Sequence, residues 1–66
     1  MLDAQKLRGI IVSNGMTQRQ VAKELGMAEK TFYHKMKQGV FGLDEAEAMI
    51  KLLNISDPAS VFFAEK

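Results

Sequence analysis

The sequence predicts an all-α fold, and three observations predict it. Within residues 17–39 (TQRQVAKELGMAEKTFYHKMKQG) two short helical patterns are separated by a break too tight for anything but a turn. Elsewhere apolar residues recur at helical spacing, as in Leu7, Ile10 and Ile11 and again in Ala46, Met49, Ile50 and Leu53. No stretch alternates polar and apolar residues for long enough to make a strand. Five helices account for the pattern.

Each helix carries its own start and stop signals. Asp3 is placed to cap a first helix from Ala4 to about Ser13, which Asn14 and Gly15 end. Lys6 and Ser13 face outward there, and the stem of Arg8 either lies along the core edge or stays in water. A second helix, about residues 18–25, opens on Thr17 and Gln20, a Thr-x-x-Gln capping box. Val21, Ala22 and Leu25 form its apolar face, and Gly26 stops it, since glycine takes the left-handed conformation without steric cost. A third helix covers residues 29–37, with Phe32 and Met36 stacked at i, i+4 and Gly39 at its end. The two glycines of the next loop turn the chain sharply and let Phe41 tuck under that helix.

The fourth helix covers residues 43–53. Asp44, Glu45 and Glu47 crowd its first turns, where the free N–H groups and the helix dipole favour negative charge. That preference explains the acidic trio without a metal site or an acid/base pair. Asn54 follows as a C-cap. Ser56-Asp57-Pro58 then reads as a cap followed by proline in the first turn of a last helix, residues 58 to about 64. Phe62 and Phe63 cannot both face one way on so short a helix. One closes the core; the other is a surface hydrophobe or the centre of a contact between two copies.

Length and composition limit what such a chain can be. Its 66 residues make one small domain, burying only about 60% of the surface its unfolded form exposes. There is no cysteine, which removes disulfides and thiolate metal ligands and fits a reducing compartment. A composition 47% hydrophobic and 26% charged suits a soluble globular domain. No apolar run is long enough to span a bilayer, and the opening MLDAQKLRG is no signal peptide. The net charge of +1 hides a division: residues 1–40 carry +4 and residues 41–66 carry −3. A basic side and an acidic side are expected.

At about 100° per residue, Lys30, His34 and Lys37 lie opposite Phe32 and Met36, with Thr31 and Tyr33 on the flanks. That face offers positive charge, hydrogen-bond donors and an aromatic ring, but no aliphatic residue. Two helices joined by a short glycine-containing turn form the helix-turn-helix layout, and such a face suits a DNA major groove.

The order Leu7-Arg8…Ile11…Gly15-Met16-Thr17-Gln18-x-x-Val21-Ala22-x-x-Leu25-Gly26…Thr31-Phe32…Met36…Gly39, followed by a helix and Phe62-Phe63, resembles the lambda-repressor-like domains of phage repressor and Cro proteins. It is most similar to their short stand-alone prophage members, and the similarity covers nearly the whole chain. Its most specific part is Thr17-Gln18-x-x-Val21-Ala22-x-x-Leu25-Gly26. The resemblance implies a five-helix bundle in the bacterial cytoplasm, at the nucleoid. It implies a transcriptional regulator that binds double-stranded operator DNA as a homodimer, with no cofactor, membrane or small-molecule substrate. It gives Gln18 a backbone phosphate, Ala28, Glu29, Lys30 and His34 the base edges, and Lys37, Gln38 and Gly39 a further phosphate. Two departures stand out. Ala28 replaces the usual Ser or Thr cap of the third helix, at a cost of about 1 kcal/mol. Glu29 places a negative charge where DNA approaches; it either accepts from cytosine N4 or weakens DNA binding.

Individual residues have competing roles. Lys30 is a base or phosphate contact, or a solvated lysine. Thr31 and Tyr33 can touch phosphate, and Tyr33 can instead pack on the first helix. Arg19 and Lys23 are phosphate contacts or a solvated face. His34, with no second His and no Cys to share an ion, is a polar group facing DNA before it is a metal ligand or a pH switch. The five methionines are expected to fill the core before they form a binding surface. An enzyme is disfavoured by the single His, the absence of Cys and the lack of a glycine-rich phosphate loop. The rival to DNA binding is a protein-binding module of antirepressor or antitoxin-like kind that keeps the scaffold; Glu29 and the low net charge favour it.

Overall fold

Side chains that satisfy free backbone groups set three of the helix starts in this protein. In a computed structural model describing residues 1–64, the order is α1 (Ala4–Ser13), α2 (Gln18–Glu24), α3 (Glu29–Gln38), α4 (Leu43–Leu52) and α5 (Pro58–Phe62). Among the described residues there are no strands, so the fold is all-α with five helices. At the head of α1 the Asp3 carboxylate accepts the Lys6 N–H at 3.1 Å. At the head of α2 both halves of the capping box form: Thr17 Oγ1 accepts the Gln20 N–H at 3.1 Å, and Gln20 Oε1 accepts the Thr17 N–H at 2.9 Å. Thr17→Ala removes the first of these bonds. It is expected to cost about 1 kcal/mol in a denaturant titration, with Gln20→Ala costing a similar amount.

The C-termini of α1 to α4 share one device. The Met27 N–H bonds the Ala22 carbonyl at 2.9 Å and the Gly26 N–H bonds the Lys23 carbonyl at 3.0 Å, a Schellman closure that needs the left-handed φ of +69° at Gly26. The same six-residue closure ends α1 through Met16 and Ile11, α3 through Val40 and Lys35, and α4 through Ile55 and Ile50. Asn54 takes the left-handed place after α4, at φ +52°, so Leu53 is the C-cap and Asn54 the residue beyond it. Leu25 likewise caps α2 rather than extending it. The last helix ends at Phe62, not near Ala64, because Phe63 leaves helical geometry at φ −127°. Asp57 sits at its head, but its side chain makes no capping bond; the Ser60 hydroxyl donates to the Asp57 carbonyl instead. This short helix start is exposed, so water can satisfy its N–H groups.

One core joins the elements. Leu7, Ile11, Val21, Ala22, Phe32, Met36, Ala46, Met49, Leu53, Ile55, Val61 and Phe62 form a single buried cluster. Its largest fully buried side chain is Phe32, whose ring lies 5.3 Å from that of the half-buried Phe41. The radius of gyration, 10.6 Å, is close to the ~10.8 Å of a compact chain this long. Helix α2 packs against α3, and α1 against α2 and α5. Polar ties finish the assembly. The Asp3 N–H donates to the Val61 carbonyl at 2.7 Å, and Asn14 Nδ2 donates to the Ile10 and Leu53 carbonyls, linking the ends of α1 and α4.

Glu45 fastens α4 to α3. Its carboxylate accepts the Gly42 N–H at 2.7 Å and lies 2.7 Å from the Lys35 ammonium. It is half a capping box, because glycine has no side chain to return the bond. Hydrogen bonding to Lys35, then to the Gly42 N–H, holds the Glu45 carboxyl below its ordinary value. A depressed folded-state pKa means stability that is present above the unfolded-state value and lost as pH falls through the folded-state value. Glu45→Ala is therefore expected to cost about 1–2 kcal/mol near neutrality. That cost should shrink below the ordinary carboxylate range when urea melts are repeated at decreasing pH.

Candidate functional site

Helix α3 has one dry side and one wet side. Phe32 is fully buried and Met36 is 4% exposed, so the opposite arc carries whatever the helix can offer to a partner. Lys30, Thr31, His34, Lys37 and Gln38 are all exposed there. Tyr33, also exposed, presents its ring edge-on to that of Phe32, with 6.5 Å between the centroids. Lys30 and Lys37 make no ion pair among the described residues, leaving both ammonium groups to solvent or a ligand.

The turn from α2 brings further groups beside this arc. Gln18 is the first residue of α2; it is half-buried, and its side-chain amide makes no hydrogen bond among the described residues. Arg19, next in line, is exposed and reaches across the turn to Glu29, with 3.7 Å between Nε and Oε1. Ala28 takes the N-cap position of α3 and, having no acceptor, leaves that end without a side-chain cap. Glu29 follows it. Tyr33 stands one turn further along, at i, i+4 from Glu29. Hydrogen bonding to the Glu29 carboxylate is the main reason its phenol pKa lies above the ordinary value, with loss of hydration and the carboxylate's charge adding to it and Arg19 opposing.

The sequence-derived residues thus divide. Gln18, Arg19, Ala28, Glu29, Lys30, Thr31, Tyr33, His34, Lys37 and Gln38 all belong to α2, α3 and the turn between them. The two phenylalanines of α5 separate: Phe62 is buried in the core and Phe63 is 66% exposed. Arg8 is exposed. Lys35 was missed as a structural cation. Its position three residues from Phe32 and one from Met36 marks it as flanking the buried stripe, but its partner Glu45 lies across a loop.

No group of three or more His, Cys, Asp or Glu among the described residues is placed to hold a metal ion. A cleft of about 510 Å³ opens between α1, α5 and the α4–α5 connection; none of its lining residues comes from α2 or α3. No helix among the described residues is long and apolar enough to cross a membrane. Chemically, the α3 arc is a convex strip of cations and donors, suited to a polyanion or a hydrogen-bonding edge more than to a small enclosed ligand.

Comparison of the chain with protein-family models, with curated proteins and with solved structures gave no match. The class defined by the coordinates is an all-α, five-helix protein that carries an exposed basic helix.

Proposed function

We propose that the chain is a sequence-specific DNA-binding regulator of the lambda-repressor-like kind, with α2 and α3 as its helix-turn-helix. Support comes from the way Phe32 and Met36 anchor α3: with both buried, Lys30, His34 and Lys37 stand together in solvent. In this reading α3 lies along the major groove, where Lys30, Thr31 and His34 meet base edges. Gln18, whose amide makes no hydrogen bond among the described residues, joins Lys37 and Gln38 on the phosphates that flank the groove. Phe63, exposed beside the buried Phe62, is the proposed contact between two copies. A dimer would then meet half-sites about 34 Å apart.

Fluorescence anisotropy with a labelled duplex of random sequence tests the reading. Binding at low salt that weakens steeply between about 50 and 200 mM salt is expected, because each phosphate contact releases condensed counterions. No binding to any duplex at the lowest salt would contradict it and favour a protein partner for the same scaffold.

A further inference from the structure

We propose that Glu29 acts as an intramolecular stand-in for DNA phosphate, occupying Arg19 in the free protein and so lowering affinity for duplex of arbitrary sequence. The inference rests on the DNA-binding reading above and concerns how tightly that site grips. One cation flanks the start of α3 and faces the Glu29 carboxylate. Arg19 reaches it across the turn at 3.7 Å. Tyr33 follows one turn on, and the nearby carboxylate raises its phenol pKa. In the free protein the carboxylate faces Arg19, a contact it gives up when Arg19 turns to a phosphate. A guanidinium paired with the carboxylate must exchange that partner before it can pair with a phosphate.

The exposure of the pair sets the size of the effect. Its side chains are 81% and 44% exposed, and a surface ion pair of that kind biases an equilibrium only a few-fold. Exchange is therefore easy on a site where base contacts add to the gain, and unrewarded where they do not. Ala28 contributes by omission, since with no capping side chain there, Glu29 is the group that supplies negative charge to the first turn of α3. Neutralising Glu29 should make non-specific binding tighter and discrimination poorer.

The test measures affinity for a random-sequence duplex against salt, using wild type, Glu29→Gln, Arg19→Ala and the double variant. Thermal melts establish that each variant is folded; both positions are exposed, so little loss of stability is expected. Glu29→Gln is expected to bind roughly twofold to fivefold tighter. Its salt slope should steepen by about one, the signature of an added phosphate contact. In the Arg19→Ala background the same substitution should leave the slope unchanged. An unchanged slope in Glu29→Gln, an equal steepening without Arg19, or weaker binding in Glu29→Gln would each overturn the stand-in role while leaving DNA binding intact. If none of the four proteins binds any duplex, DNA binding itself falls, and the stand-in role with it.

Discussion

Phe32→Ala is expected to remove a large share of this chain's stability. Phe32 is the largest fully buried side chain, and its ring meets Phe41 in the only tilted aromatic pair among the described residues. Truncating a buried phenylalanine costs about 3–5 kcal/mol, transfer and cavity terms together. A domain of this length holds only about 3–10 kcal/mol in total. Far-ultraviolet circular dichroism against urea reads the loss directly. Val12→Ala serves as the control: Val12 is 71% exposed, and its truncation should shift stability by no more than about 0.5 kcal/mol. A Phe32→Ala protein that melts like wild type would mean that α3 is not anchored by this ring.

The second large effect is on selectivity. Lys30→Ala is expected to lose about 1–3 kcal/mol of discrimination between a selected duplex and a random one, while its affinity for random duplex falls much less. Lys37→Ala should weaken both duplexes alike and reduce the salt slope by about one. The contrast follows from position: Lys30 lies in the first turn of α3, while Lys37 lies in its last turn, two residues before the left-handed Gly39. Competition binding with the two duplexes separates these outcomes. Equal effects of both substitutions on both duplexes would remove the proposed division of labour.

Local signals made most of the fold legible. The bonds of Asp3, Thr17 and Gln20 form within three residues, and Gly15, Gly26 and Gly39 each take the left-handed conformation that closes a helix. The inward placement of Phe32 and Met36 follows from a four-residue spacing, which needs no knowledge of the rest of the chain. What sequence could not give depends on how distant elements meet. Lys35 finds Glu45, and Arg19 finds Glu29, only once the intervening turns have set their course. The choice between Phe62 and Phe63 was equally non-local, since it depends on how α5 docks against α1. Glu29 shows the consequence for the candidate site: its charge is plain in the sequence, but its pairing with Arg19 is not.

Two-dimensional NMR of the isotopically labelled protein, titrated with a duplex selected from a random pool, tests most directly whether the outer arc of α3 is the gripping surface. The largest shift changes are expected at Gln18, Lys30, Thr31, His34 and Lys37, with the amides of α4 nearly still. Selection that enriches no duplex, or changes centred on α4 and the cleft between α1 and α5, would contradict that assignment.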